Sequence, residues 1–173
     1  MPPCQRLLKM IDAAEPILIR IISGGQTGVD RGALDAALGA GFPVGGYCPA
    51  GRSAEDGVIP ERYPLTPLER GGSLERTLMN VAESDGTAIL YFESLSGGTE
   101  KTLRACLFLR RPYLLIDAEL CLPEGAAERI RGFCKTHRIQ VLNVAGPRAS
   151  EWDDGFDFAR ETVAGLLSQW SEA

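Results

Sequence analysis

The sequence predicts a doubly wound α/β fold: a mostly parallel, Rossmann-like sheet of about five or more strands with helices on both faces. Three observations predict it. Short runs of β-branched and aliphatic residues recur along the chain, each followed by a segment with apolar residues at helical spacing, and strands covered on both faces read as such continuous runs. Glycine-rich turns stand at several of the junctions between run and helix. The composition, 45% hydrophobic and 24% charged with 20 glycines in 173 residues, is that of an ordinary folded chain. The length suits one domain, assigned to residues 17–173, with 1–16 as an N-terminal extension.

In the extension, Leu7, Leu8, Ile11 and Ala14 have the spacing of a short packing helix. Ile17 to Ile22 reads as a buried strand that stops at Ser23-Gly24-Gly25. A helix capped by Asp30 follows, with Leu34, Ala37 and Leu38 as its apolar stripe and Gly39 and Gly41 as its end. Pro43 to Tyr47 is a second strand, and Cys48 to Pro67 is a long loop of the kind that is functional or mobile. Ser73 caps a helix that turns Leu74, Leu78 and Val81 to the core, and Thr87 to Phe92 is the next strand. Ser96-Gly97-Gly98-Thr99 opens a helix that Pro112 closes, ahead of a strand over Tyr113 to Ile116. A helix through Ala126, Ile130, Phe133 and Cys134, a strand over Gln140 to Val144 and an amphipathic helix from Phe156 to Trp170 complete the alternation.

Several function classes fall away on composition. A net charge of −5 without any Lys/Arg run argues against a general nucleic-acid binder. Five cysteines without a Cys-x-x-Cys spacing fit neither a disulfide framework nor a zinc ribbon and point to a reducing compartment. No stretch is apolar enough to span a membrane and no signal-peptide layout opens the chain, so the cytoplasm is expected. The single histidine, His137, sits between charged residues and is expected on the surface, which excludes histidine triads.

In a doubly wound sheet, ligands sit beyond the carboxyl ends of the strands. Three loops lie there: Ser23-Gly24-Gly25-Gln26-Thr27-Gly28-Val29-Asp30, then Ser94 to Thr99 with Gly97 and Gly98, then Asn143-Val144-Ala145-Gly146-Pro147-Arg148. Glycines there let the backbone approach a ligand, and free N–H groups at a helix start offer donors to an anion. Thr27 and Thr99 add hydroxyls. The same glycines also suit plain tight turns. Arg52 and Arg148 are the expected phosphate cations, because guanidinium forks match phosphate oxygens, with solvated loop charges as the other reading. Glu55 and Asp56 are candidates to receive ligand N–H groups or to act as acid and base, or else to cap turns. Cys48 is expected as a small buried thiol, with a soft-metal contact as the alternative. No Walker lysine and no Gly-x-Gly-x-x-Gly spacing is present.

Taken together, Ile22 to Arg31, Val44 to Pro49, Arg52 to Gly57, Ile59 to Tyr63, the Gly97-Gly98-Thr99 turn and Asn143 to Arg148 resemble the molybdenum carrier protein family. The resemblance implies a Rossmann-like fold of the SLOG superfamily, related to the lysine-decarboxylase-like (LOG) and DprA group. It also implies a carrier of molybdenum cofactor (molybdopterin) or a related pterin or nucleotide phosphate, with molybdoenzymes as recipients; no metal-ligand residues are assigned, and metal binding and homo-oligomerisation stay open. The alternative is a nucleotide-processing enzyme of the LOG phosphoribohydrolase type. Those relatives look like Gly-Gly-x-Gly-Thr-x-x-Glu at the phosphate loop, whereas here Thr102 stands three residues after Thr99 and Glu100 is out of register. Two residues of displacement swing a helical side chain by about 200°, which favours binding without turnover.

Overall fold

The computed structural model describes residues 17–171, so the helix expected within residues 1–16 lies outside the described residues. Strands β1 (Arg20–Ile22), β2 (Val44–Gly45), β7 (Gly86–Tyr91), β8 (Tyr113–Asp117) and β9 (Val141–Ala145) form one sheet in the order β2-β1-β9-β7-β8. Every pairing in it is parallel. Helices α1 (Val29–Gly39), α4 (Pro123–His137) and α5 (Gly155–Ser171) pack together on one face, and α2 (Ser73–Glu83) and α3 (Gly97–Leu109) pack on the other.

Strand alternation explains the two cores. Ala88, Leu90, Leu142 and Val144 enter the cluster under α1, α4 and α5, while Ile89 joins Val81, Ala105 and Cys106 under α2 and α3. Asn143 lies on the second face too. It pairs in register with Thr87, and its Nδ2 donates to Thr87 Oγ1 at 3.2 Å. From β1 the chain moves outward to β2, and from β7 it moves outward the other way to β8, before β9 enters between β1 and β7. The carboxyl end of β9 is therefore where connections diverge, the switch point at which such sheets hold ligands.

Three local expectations change. The Pro43 to Tyr47 strand breaks at Gly46, whose φ of 122° turns the chain so that β3 (Tyr47–Cys48) leaves the sheet and pairs with β6 (Thr66–Pro67). A Cβ at Gly46 would lie 2.2 Å from the Ser23 carbonyl, so only glycine permits that crossing. The helix caps differ as well. Gly28 is the N-cap of α1, and Gly72 that of α2, where Glu75 accepts the Gly72 N–H at 2.8 Å. On α2 the buried face carries Thr77, Asn80 and Val81, while Leu74 is 45% exposed. Asn80 faces inward because its amide accepts from Tyr47 N–H at 2.8 Å and donates to Tyr47 C=O at 2.9 Å, satisfying β3 as a neighbouring strand would.

The segment from Cys48 to Pro67 is a packed lobe with strands of its own. A hairpin of β4 (Ser53–Ala54) and β5 (Gly57–Val58) projects from it, and Ile59, Tyr63 and Leu65 form a small core with Leu34 and Cys48. No helix among the described residues is long and apolar enough to cross a membrane. His137 is exposed at the end of α4, as expected, with its ring 5.0 Å from that of Phe133.

Candidate functional site

A cleft opens at the carboxyl end of β9, where α1, α2 and α3 all begin. Gln26 and Asp30 of the first glycine loop line it with Ser73, Arg76 and Thr77 of α2. Gly98, Lys101 and Thr102 of α3 form the facing wall, and Ala145, Gly146, Arg148 and Glu151 close the end beyond β9. Gln26, Asp30, Gly98, Gly146 and Arg148 are thus sequence-named residues that the fold brings together. Arg76 and Lys101 are cations that sequence reasoning missed.

Asp30 is 2% exposed in the first turn of α1. It accepts the Gln26 N–H at 3.2 Å and a bond from Arg76 Nη1 at 3.1 Å. Burial pushes its carboxyl above the ordinary range, and the Arg76 charge and the Gln26 N–H offset only part of that rise. Much of the first loop's donor set is already engaged. The Thr27 N–H binds the Gln26 side chain at 3.0 Å and the Val29 N–H binds Pro147 C=O at 3.2 Å. The chain's own carboxylate stands where an anion was expected at the start of α1.

The glycines of that loop serve packing. Gly24 makes room for Arg76, because a Cβ there would sit 1.6 Å from Nη1. Gly25 (φ 76°) is pressed against Leu65, and Gly28 (φ 78°) against the Pro147 carbonyl. Ser23 Oγ donates to Val144 C=O at 2.7 Å and ties β1 to β9. At the α3 loop the picture reverses. Gly97 adopts φ 53°, Gly98 has open space where a Cβ would stand, and Thr99 Oγ1 is buried without a partner among the described residues. The start of α3 is the more open helix end in the cleft, with Lys101 one turn on.

Arg52 has a different role from the one expected. Its guanidinium donates to the carbonyls of Ile59, Pro60, Tyr63 and Leu65 at 2.9–3.1 Å and closes the lobe. Its four acceptors lie 7 to 13 residues further along the chain, so folding of the lobe consumes donors that the sequence leaves free for a phosphate. Glu55 and Asp56 sit at the hairpin tip and strap the loops together. Glu55 accepts from Thr27 Oγ1, from Ser150 Oγ at 2.5 Å and from Ser150 N–H at 3.2 Å, while Asp56 binds Arg31 twice, at 2.6 and 2.8 Å. Desolvation raises the Glu55 carboxyl, but the bonds from Ser150 and Thr27 and the nearby Arg148 charge outweigh it and hold it below its ordinary range. Asp56 is held low by its bonds with Arg31. Asn143, bonded to Thr87 within the sheet, does not line the cleft.

Glu100 points away from the cleft chemistry in an exposed pair with Arg104, Oε1 to Nη2 at 2.6 Å. Cys48 is fully buried in the lobe core, and burial pushes its thiol up. Among the described residues no His, Cys, Asp and Glu side chains gather into a metal-holding set.

No curated protein matches the chain. A solved structure, a putative molybdenum carrier protein from Syntrophus aciditrophicus SB, is similar to it at 40% identity, covering 88% of this chain and 96% of its own, with a TM-score of 0.85. The likeness read from the loops extends through the whole fold. The model of the circularly permutated YpsA SLOG family matches residues 21–167, and the chain belongs to that family.

Proposed function

We propose that the cleft beyond β9 binds a small phosphate-bearing ligand by its phosphate, and that the chain serves as a carrier for molybdenum cofactor or a related pterin or nucleotide phosphate. The observation that carries this reading is that Arg76, Lys101 and Arg148 line one cleft with the start of α3 at Gly98, where Glu151, 3.5 Å from Arg148 Nε, is the carboxylate a phosphate would displace. Cations together with free helix N–H groups form an anion site at low cost in reorganisation. The donors suit a phosphate, and none of the lining residues is a thiol that would ligate the metal of the cargo. The name of the Syntrophus protein supports the carrier role. Among the described residues Cys48, Cys106, Cys121 and Cys134 are free thiols, which accords with a reducing compartment.

A nucleotide-processing enzyme is the second reading. Asp30 favours it, being a carboxyl in the cleft held above its ordinary range, the kind of group that general acid or base chemistry uses. One experiment separates the two. The protein is titrated calorimetrically with nucleoside monophosphates and pterin phosphates, and each mixture is then chromatographed for free base, ribose phosphate and inorganic phosphate. Binding without product, weakened by Lys101→Ala, supports the carrier. Turnover that Asp30→Asn abolishes makes the enzyme the better reading.

A further inference from the structure

Gly24 is the clue to Arg76. Its φ is not in the left-handed region, so glycine there answers a close approach rather than a turn. The group that approaches is the Arg76 guanidinium: a Cβ at Gly24 would lie 1.6 Å from Nη1, 2.2 Å from Cζ and 2.8 Å from Nε. The β1 exit is thus shaped to seat an arginine from α2 at the cleft wall. Only 14% of that side chain is exposed.

The seat is incompletely used. A guanidinium carries five N–H donors in a fixed fork and pairs best with two oxygens at once. Asp30 takes a single bond, from Nη1 to Oδ2 at 3.1 Å, and shares that oxygen with the Gln26 N–H. Arg76 Nε is buried and has no acceptor among the described residues. Folded proteins rarely leave a charged donor in that condition, and Nη2, which makes no bond and is not enclosed, leaves the guanidinium a second open donor that a ligand can reach. Asp30 cannot turn away, since its carboxylate is enclosed beside Arg76.

We infer that Arg76 is the principal oxyanion contact of the cleft and that Asp30 is a built-in competitor that limits how tightly the phosphate is held. This rests on the phosphate-binding reading above. The entering dianion supplies an acceptor to the open Nη2, while the charge of Asp30 repels it. Affinity is the difference between those two effects. A carrier needs that balance: Asp30 opposes the grip of Arg76 as Glu151, 3.5 Å from Arg148 Nε, opposes that of Arg148, so the cargo leaves faster than it would from the cations alone.

The test uses the full chain, with 5′-GMP and inorganic phosphate as calorimetric probes and a thermal melt on every variant. Asp30→Asn keeps an acceptor oxygen beside Arg76 and removes the charge, and it should tighten both probes by about threefold or more. Asp30→Asn combined with Arg76→Gln leaves no buried charge unpaired and should bind about tenfold more weakly than Asp30→Asn alone. Arg76→Lys, which keeps the ion pair but loses the fork, should also bind about tenfold more weakly than the native protein. If Asp30→Asn binds no tighter, or if the double variant and Arg76→Lys bind as their parents do, Arg76 is only a counter-ion and the inference is overturned. If the native protein binds neither probe, the phosphate reading itself fails and takes this one with it. The melts identify any variant lost to misfolding, and Arg76→Lys then decides.

Discussion

Replacing Arg52 with methionine separates two roles that the sequence alone cannot distinguish. Methionine keeps the apolar stem and removes bonds to the carbonyls of Ile59, Leu65, Pro60 and Tyr63, at 3.1, 3.0, 3.0 and 2.9 Å. A hydrogen bond from a charged donor contributes about 1.5–3 kcal/mol net, and water reaching this half-buried group replaces part of four such bonds, so about 3–5 kcal/mol is the expected cost. The loss should concentrate in the lobe, where Ile59 and Tyr63 are 0% and 1% exposed. Urea unfolding combined with hydrogen exchange measures both the size and the place: protection from residue 59 to 65 should fall furthest, as in a sub-global opening. Binding of 5′-GMP should weaken only as far as the lobe opens. An unchanged unfolding midpoint with binding abolished would refute the reasoning and return Arg52 to the role of phosphate cation.

Two glycines make a contrasting pair. Gly25→Val places a β-branched residue at φ 76° with its Cβ 2.4 Å from Leu65 Cδ1, and strain plus overpacking should cost about 2–5 kcal/mol in a thermal or urea melt. Gly98→Ala enters open space at the start of α3, so its melting temperature should hold or rise, by up to about 1 kcal/mol of stability, while phosphate affinity falls; full affinity with the methyl present would remove the α3 start from the site. The hairpin strap should loosen in acid. Glu55 and Asp56 are held below their ordinary values of 4.5 and 3.8, so their contribution is complete above those values and disappears as pH falls through the depressed ones. Asp30, held above its ordinary 3.8, runs the other way: its contribution is complete below that value and is lost as pH rises through the raised one. Amide exchange over residues 53–58, corrected for intrinsic rate, should therefore lose protection below about pH 4.5, and constant protection through that range would show that the two carboxylates do not hold the hairpin.

Local patterns sufficed for the alternation of strands and helices. Leu142 and Val144, or Ala88 and Leu90, mark their strands by chemistry that depends only on near neighbours, and the glycines at 24, 25, 28, 97 and 98 mark the strand exits. The switch point was legible in principle, since ligands gather where such sheets reverse, but which strand stands there depends on β9 inserting between β1 and β7. The lobe reads as loop because its strands are two residues long and pair across gaps that no period reveals.

What the sequence by itself determined is the set of loops and their content of glycine and charge. Only the tertiary structure decided which charges meet. Arg52 and Arg76 carry the same group with the same donors, and nothing within a few residues of either tells them apart. Folding brings four carbonyls to the first and leaves the second against Gly24 with one carboxylate and an idle Nε. Hydrogen bonds saturate donors locally but act between residues far apart in the chain. A cation's availability for a ligand is therefore a property of the packed molecule and not of its sequence neighbourhood.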